Sequence, residues 1–160
     1  MIEVNQEETG PYNLGNYQPE DSVGRLLAET SRQILAALDE ELLRQDKGIT
    51  GAQWAILVRV SRGCASTAAE LCRTGRYDTG SMTRMLDRLE EKGLIRRVRS
   101  STDRRITHLE LTEPGQTLLP SLPPVAIKVL NAHLRGFGAA ELAQLKDFLQ
   151  RIRANGETFA

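Results

Sequence analysis

The stretch that decides the fold is DTGSMTRMLDRLEEKGLIRRVRSSTDRRITHLEL, residues 78–111. In its first half the apolar residues recur at three- and four-residue steps, which predicts an amphipathic helix closed by Gly93. Beyond Gly93 apolar and polar residues alternate on both sides of the run Ser100 to Asp103, which predicts two strands joined by a polar hairpin. A capped helix followed immediately by such a hairpin indicates a winged helix-turn-helix.

Three further helices are predicted upstream of this stretch. The first lies within 21–48 and the second within 50–63, and each ends at a glycine. Ser66 is predicted to cap a third, short helix over 67–73, and Gly75 lies in the turn that follows it. A short helix, a turn and a second capped helix make up a helix-turn-helix. Helical periodicity returns from Leu118 onward.

The charge distribution indicates a partner for this lobe. Net charge is zero, but residues 1–50 contain ten acidic and four basic residues, whereas residues 73–108 contain ten basic and five acidic ones. Arginine suits bidentate contacts with phosphate or guanine and insertion into a narrow minor groove. We therefore interpret the segment as a nucleic-acid-binding module in a chain that is otherwise neutral or acidic. Its basic residues are Arg73, Arg76, Arg84, Arg88, Lys92, Arg96, Arg97, Arg99, Arg104 and Arg105.

The exposed face of the predicted recognition helix carries hydroxyls and guanidinium groups. These groups reach base edges and phosphates from a helix in the major groove. The alternative for this helix alone is a solvated amphipathic helix with ordinary caps. The candidate DNA contacts on it are Thr79, Ser81, Thr83, Arg84 and Arg88.

The hairpin and the third helix supply the remaining candidate contacts. Asp103 is predicted to fix the side chain of Arg105, while Arg104 projects from the tip and Arg97 adds a charge on the first strand. The alternative is an exposed salt bridge worth under about 1 kcal/mol. Two residues at the start of the third helix can bind a phosphate through hydroxyl and N–H groups, or serve only as a cap. They are Ser66 and Thr67.

Composition argues against other classes of protein. Aromatic residues make up only 4% of the chain, so base stacking on aromatic platforms is disfavoured. No run approaches the roughly 18 to 20 apolar residues of a membrane span, and no signal peptide is visible, so we expect a cytoplasmic protein without membrane contact. Cys64 and Cys72 have neither redox-motif nor zinc-ribbon spacing and are predicted to be small buried or half-buried thiols. No metal, cofactor or catalytic constellation is predicted, and an enzyme is the weakest alternative.

The combined motifs closely resemble those of the MarR family of bacterial regulators. The resemblance rests on the run from Ser81 to Ile95, on 103–105 (Asp-Arg-Arg) and on 111–115 (Leu-Thr-Glu-Pro-Gly). It implies a homodimer that places two recognition helices and two wings on a pseudo-palindromic site in double-stranded DNA. It also implies a repressor that leaves the DNA when it binds a small, often aromatic or phenolic ligand. For that ligand we single out Tyr12, Tyr17 and Trp54, although core packing is the alternative for Trp54 and anchoring of the arm for the tyrosines.

The resemblance also assigns the parts of a mainly α fold with a small β-hairpin wing. It implies a dimerisation helix at 21–48, the DNA-binding lobe at 50–115 and the C-terminal dimerisation helices at 116–160. Residues 1–20 lie outside the resemblance and are predicted to form an irregular arm, because they show no helical period. Pro120, Pro123 and Pro124 depart from the family pattern, and the helix there either restarts near Pro123 or is strongly kinked. The alternative function is a winged-helix module that binds an acidic protein and no DNA.

Overall fold

The computed structural model describes residues 10–75, 77–103 and 105–158. Within these ranges a mainly helical chain carries one antiparallel hairpin, which confirms the predicted winged helix-turn-helix class. The elements are α1 (Val23–Arg44), α2 (Gly51–Ser61), α3 (Ala68–Gly75), α4 (Thr79–Glu91), β1 (Ile95–Arg99), β2 (Thr107–Leu111), α5 (Glu113–Leu118), α6 (Pro123–His133) and α7 (Ala139–Thr158).

Side-chain caps set the starts of the main helices. The Ser22 hydroxyl accepts a hydrogen bond from the Arg25 N–H at the start of α1. At α2, Thr50 and Gln53 form a reciprocal capping box. Such caps bind N–H groups that have no partner in the first helical turn, so local sequence alone specifies these starts.

The two strands of the hairpin form on either side of the predicted polar run, although burial alternates strictly in neither of them. β1 and β2 pair in a single register in which Ile95 lies opposite Leu111 and Arg97 opposite Leu109. Ile95 and Leu109 are buried. The Leu109 N–H also donates to the carbonyl of Ser66, at 2.8 Å, so the base of the hairpin is tied to the segment before α3. The wing is therefore fixed to the helix-turn-helix at its base.

A single hydrophobic core joins the helix-turn-helix to α1 and to the start of α6. Recurrence at three- and four-residue steps places Met82, Leu86 and Leu89 of α4 on one buried face. Leu42 of α1 and Val125 of α6 belong to the same buried cluster. Because these two residues lie outside the helix-turn-helix, the core fixes α1 and α6 relative to it.

The prolines interrupt the helix after the hairpin. α5 ends at Leu118, a 3-10 turn covers Leu119–Ser121, and α6 restarts at Pro123. Proline is tolerated in a first helical turn, where its missing N–H would have no intrahelical partner. The restart at Pro123 confirms one of the two predicted outcomes and rules out one continuous helix.

Gly115 allows α5 to approach the backbone at the start of the hairpin. A Cβ built at this position would lie 2.1 Å from the carbonyl oxygen of Leu94. That distance is far inside van der Waals contact, so any side chain at Gly115 would force α5 away from the hairpin. Glycine is therefore required at this position for close packing and not for an unusual backbone conformation.

Apolar side chains remain exposed on α1, α6 and α7. α1 packs against α6, yet Leu43 is 80% exposed and Ile127 is 56% exposed. None of the residues that the structure describes in α7 is buried. The exposed apolar residues of α7 include Phe148, Leu149 and Ile152.

Residues 10–18 of the N-terminal arm have no helix or strand, and a 3-10 turn covers Pro19–Asp21. The Tyr12 hydroxyl accepts a hydrogen bond from the Val23 N–H at 2.9 Å, and the Tyr17 ring packs edge-on against the Tyr12 ring. Tyr12 therefore anchors the arm to the start of α1 in the same chain.

In the described ranges no helix is long and apolar enough to cross a membrane, and no group of three or more His, Cys, Asp or Glu residues is arranged to hold a metal ion. Cys72 is half-buried against the core, as predicted. Cys64 is exposed, contrary to the prediction, because it follows Gly63 (φ +65°) in the exposed turn after α2.

Candidate nucleic-acid interface

The first turns of α4 present a polar, exposed face. The sequence leaves the start of this helix open between Asp78 and Thr79, and the structure selects Asp78, whose carboxylate accepts from the Ser81 N–H at 2.8 Å and caps the helix. Hydrogen bonds from Ser81 lower the pKa of Asp78, so this cap is ionised at neutral pH. Thr79, Thr83 and Arg84 are exposed, whereas Met82 on the opposite face is buried.

Arg84 is oriented by its own helix. Its guanidinium donates to the Ser81 hydroxyl at 3.2 Å. The Thr83 hydroxyl donates to the Thr79 carbonyl, at 2.8 Å, so its oxygen can still accept. Arg88 lies one turn further on, and no carboxylate among the described residues pairs with it. This face can therefore donate to base-edge acceptors and neutralise phosphates.

Arg97 lies on the first strand, as predicted, but its side chain is paired with carboxylates of α4. Its guanidinium donates to Asp87 at 2.7 Å and to Glu90, and its backbone N–H also donates to Glu90. The side chain of Arg97 is only 32% exposed. The hydrogen bond to Asp87 raises the pKa of the guanidinium, which stays charged in any case. Arg97 therefore clamps β1 to the exposed side of α4.

Asp103 also acts differently from the prediction. Its carboxylate accepts from the backbone N–H of Arg105 at 2.9 Å, and no ion pair to the Arg105 guanidinium is found among the described residues. The Ser100 hydroxyl accepts from the Asp103 N–H, and the Ile106 N–H donates to the Asp103 carbonyl. Asp103 fixes the backbone of the turn, because its short side chain reaches the N–H two residues ahead.

Arg105 is exposed on this ordered turn. Arg104, the other arginine predicted to contact DNA, lies outside the described residues. The structure thus offers one described guanidinium at the wing tip on a backbone that Asp103 and Ser100 hold in place.

The start of α3 already binds an anion from its own chain. The Glu70 carboxylate accepts from the N–H of Ser66 at 2.6 Å and from the N–H of Thr67 at 3.0 Å. It also accepts from the Ser66 hydroxyl, and these bonds lower the pKa of Glu70. The Thr67 hydroxyl accepts from the Glu70 N–H, so Thr67 caps α3. The prediction that Ser66 is the cap was wrong. Glu70 holds the donors that were expected to bind a phosphate.

The three residues singled out for a ligand do not form one site. Trp54 is half-buried and packs against the core, and the Tyr12–Tyr17 pair is the only ring pair among the described residues. A cavity of about 860 Å³ lies elsewhere, between the α1–α2 loop, the end of α4 and α5. None of Trp54, Tyr12 and Tyr17 lines it.

Sequence reasoning missed the residues that hold the interface together. Asp87 and Glu90 lie three residues apart on α4, and that spacing places both carboxylates on one helix face. The spacing of the two carboxylates was visible in the sequence. Their pairing with Arg97 depends on how the hairpin packs against α4, which the sequence does not show. The cross-strand pair of Arg96 and Glu110, at 2.6 Å, follows from the register and was likewise not predicted.

The chain is similar to known transcriptional regulators in sequence and in fold. A family model described as the MarR family matches residues 47–106. The transcriptional regulator PA3341 is 35% identical, with 86% of this chain and 99% of that chain covered and a TM-score of 0.71. The reduced form of MarR from E. coli is 30% identical over 82% and 96%, with a TM-score of 0.71. A cysteine-to-serine mutant of MarR from E. coli, solved with operator DNA, is 28% identical over 81% and 91%, with a TM-score of 0.71.

Proposed function

Because the chain belongs to the MarR family of transcriptional regulators, we propose that it binds operator DNA as a homodimer. Members of this family are DNA-binding regulators and not enzymes, which agrees with the sequence prediction. Each copy would place α4 in the major groove and its wing in the adjacent minor groove. A two-fold axis of the protein then requires a pseudo-palindromic site.

The observation that carries the proposal is the joining of α4 and the wing into one unit. Arg97 binds carboxylates on α4, and Leu109 is buried in the same core as Leu86. The backbone segments that carry Arg84 and Arg105 therefore belong to one packed unit. A unit of this kind loses little backbone entropy on binding, since the backbone that carries its contact groups is already held in place.

The contact set is smaller than the one expected from the sequence. Thr79, Ser81, Thr83, Arg84 and Arg88 would meet the major groove, and Arg105, with Arg104, the minor groove. Ser66, Thr67 and Arg97 have no place in it, because Glu70 and the carboxylates of α4 bind the groups that would make those contacts. Asp103 acts through the backbone of the wing tip.

The exposed apolar residues support the dimer. α1, α6 and α7 leave large side chains uncovered that a second copy would bury. We assign dimerisation to these helices, at 21–48 and 116–160, and DNA binding to the lobe at 50–115. The protein would act as a repressor that a small ligand releases from DNA. The 860 Å³ cavity between the dimerisation helices and the DNA-binding lobe is where such a ligand would fit.

The test is a fluorescence anisotropy titration with DNA from upstream of the protein's own gene, repeated at several salt concentrations. We expect tight, sequence-dependent binding whose log–log salt slope corresponds to several phosphates per dimer. Footprinting should show two half-sites about one helical turn apart. Absence of binding at low salt would favour the alternative, a winged-helix module with an acidic protein partner.

A further inference from the structure

One side chain ties the loop between α1 and α2 to the end of α4. Lys92 is the C-cap residue of α4, and its backbone N–H donates to the Arg88 carbonyl. Its ammonium group donates to the carbonyl of Gly48, forty-four residues earlier, in that loop. The end of the proposed recognition helix is thereby joined to the segment that follows the first proposed dimerisation helix.

A second bond ties the same segment to α1. The Asp39 carboxylate accepts from the N–H of Gly51, the first residue of α2, at 2.6 Å. A carboxylate is favoured at a helix N-terminus by the helix dipole and by the N–H groups that lack an intrahelical partner. Gly51 is buried, and a Cβ on it would lie 2.9 Å from Cδ2 of Leu38, so α2 begins in direct contact with α1. Asp39 and Lys92 therefore hold the two ends of residues 48–51.

The packing beside this segment is open. Lys92 and Gly48 line both the 860 Å³ cavity and a second cavity of about 450 Å³, so side chains do not fill the space on either side of their bond. Within α1, which the structure describes in full, Leu42 is the one buried apolar residue, and Leu38 is partly buried one turn earlier. An apolar contact of one turn has no preferred direction, so directional hydrogen bonds are needed to fix the angle between α1 and the lobe.

We propose that Asp39 and Lys92 are positioning residues that set the angle between the DNA-binding lobe and α1, and with it the half-site spacing that the dimer accepts. This inference rests on the proposed DNA-binding function. In a two-fold dimer built on α1, α6 and α7, rotation of the lobes changes the separation of the two α4 helices. Two helices held at one separation fit one spacing of the half-sites. Loss of either bond should widen the range of spacings that bind, and neither side chain needs to touch DNA.

Anisotropy with a series of operator duplexes tests the spacing. One base pair added between the half-sites moves one of them by about 3.4 Å and turns it by about 35°. We expect the wild type to lose at least tenfold in affinity when one base pair is added or removed. Lys92→Gln and Asp39→Ala should lose at most threefold over the same change. Lys92→Arg should keep the wild-type preference, because a guanidinium can still donate to the Gly48 carbonyl.

Lys47→Gln is the matched control. Lys47 precedes Gly48 and lines the same 860 Å³ cavity, so this substitution removes one positive charge there and leaves the bond from Lys92 in place. Its spacing preference should equal that of the wild type. A duplex with a single half-site has no spacing to read, so Lys92→Gln and wild type should bind it equally. Lys92 is exposed, and thermal unfolding of Lys92→Gln should match that of the wild type.

A distance measurement without DNA tests the angle directly. Cys64 is exposed on the lobe and gives one spin-label site per chain once the half-buried Cys72 is replaced in a Cys72→Ser background. Double electron–electron resonance between the two copies should give a narrow distance distribution in this background and with Lys47→Gln added. The distribution should broaden when Lys92→Gln is added, because the lobes can then rotate against α1.

Two results overturn the proposal. One is a Lys92→Gln variant with the spacing preference and the distance distribution of the wild type. The other is a Lys92→Gln variant that loses as much affinity for the single half-site as for the full operator, which would make Lys92 a direct phosphate contact. A wild-type protein that binds no DNA would contradict the proposed function, and the label distances would still decide whether Lys92 fixes the lobes.

Discussion

Arginine residues that look equivalent in the sequence differ in the structure by their partners. Arg96 and Arg97 bind carboxylates of β2 and α4, whereas Arg88 and Arg105 have no carboxylate partner in the described part of the chain. A guanidinium that is already paired must give up a carboxylate before it binds phosphate. The described arginines proposed to contact DNA are accordingly among those without such a partner.

The wing arginine gives the first prediction. Arg105→Ala should weaken binding to the cognate operator by about 1 to 3 kcal/mol, because a groove contact is lost. Arg25→Ala on α1, where Arg25 pairs with Glu29, is the control and should leave the affinity unchanged. Equal affinities of Arg105→Ala and wild type in anisotropy titrations would remove the wing from the contact set.

Gly115 gives a prediction on stability. Gly115→Ala should lower the free energy of unfolding by about 1 to 3 kcal/mol, since its Cβ would meet the Leu94 carbonyl oxygen at 2.1 Å. Gly156→Ala in α7 is the control, because nothing lies within 4 Å of its added Cβ. Urea denaturation should show a loss for the first variant only, and an equal midpoint for the two would contradict the close approach.

Glu70 gives a prediction on pH dependence. Hydrogen bonds from Ser66 and Thr67 hold the pKa of Glu70 below its ordinary value of 4.5 in the folded state. Its contribution to stability is therefore complete above pH 4.5 and is lost as the pH falls through the lower, folded pKa. Thermal unfolding of Glu70→Gln should show a deficit against the wild type at neutral pH that shrinks as the solution is acidified below the ordinary pKa. A deficit independent of pH would argue against this role.

At the scale of elements, the clamp between β1 and α4 sets the position of the wing. Arg97 reaches two carboxylates that lie three residues apart on one helix face, and Leu109 holds the opposite strand in the core. The groups are partly exposed, so each pair contributes at most about 1 kcal/mol to stability. The clamp therefore acts more on geometry than on stability.

A double-mutant cycle on Asp87 and Arg97 separates positioning from contact. Asp87→Asn and Arg97→Gln should each weaken DNA binding, and the double variant should be no weaker than Arg97→Gln alone, because both remove the same clamp. If Arg97 contacted phosphate directly, its effect would persist at full size on the Asp87→Asn background. Anisotropy at fixed salt measures all four affinities.

At the scale of the whole molecule, apolar surface on α1, α6 and α7 is left for a second copy. The sequence predicted a dimer from its family motifs, and the structure shows which side chains one chain leaves uncovered. Leu149 and Ile152 lie three residues apart, on one face of α7. Burial of such residues between two chains is the main driving force for association.

The dimer prediction follows from that face. Light scattering should give twice the chain mass of 17.8 kDa for the wild type. Leu149→Glu combined with Ile152→Glu should shift the mass to that of one chain and weaken operator binding at least tenfold, since one lobe then reads one half-site. Gln150→Glu adds a charge without removing apolar surface and should remain dimeric. A wild-type protein of single-chain mass that still protects two half-sites would contradict the model.

The helices and strands of this protein, and the character of its surface, follow from short stretches of its sequence. Caps such as Asp78 and Thr50, the step of the apolar residues and the basic segment at 73–108 all depend on neighbours within a few positions. Local hydrogen bonds and periodicity are properties of a short stretch of chain, so they could be predicted. The fold class followed from them, whereas the family was indicated by the resemblance of the motifs at 81–95, 103–105 and 111–115.

Which polar groups already have partners depends on the folded chain as a whole. The tertiary structure placed Arg97 on α4, and it joined Lys92 to Gly48 across forty-four residues. It also showed that the Glu70 carboxylate binds the N–H groups of Ser66 and Thr67 at the start of α3. These residues are close in sequence, but the same spacing would also fit a helix start whose N–H groups are free to bind phosphate. These contacts depend on the direction of each side chain and on how distant segments of the chain pack. The order of residues along one element determines neither the direction nor the packing.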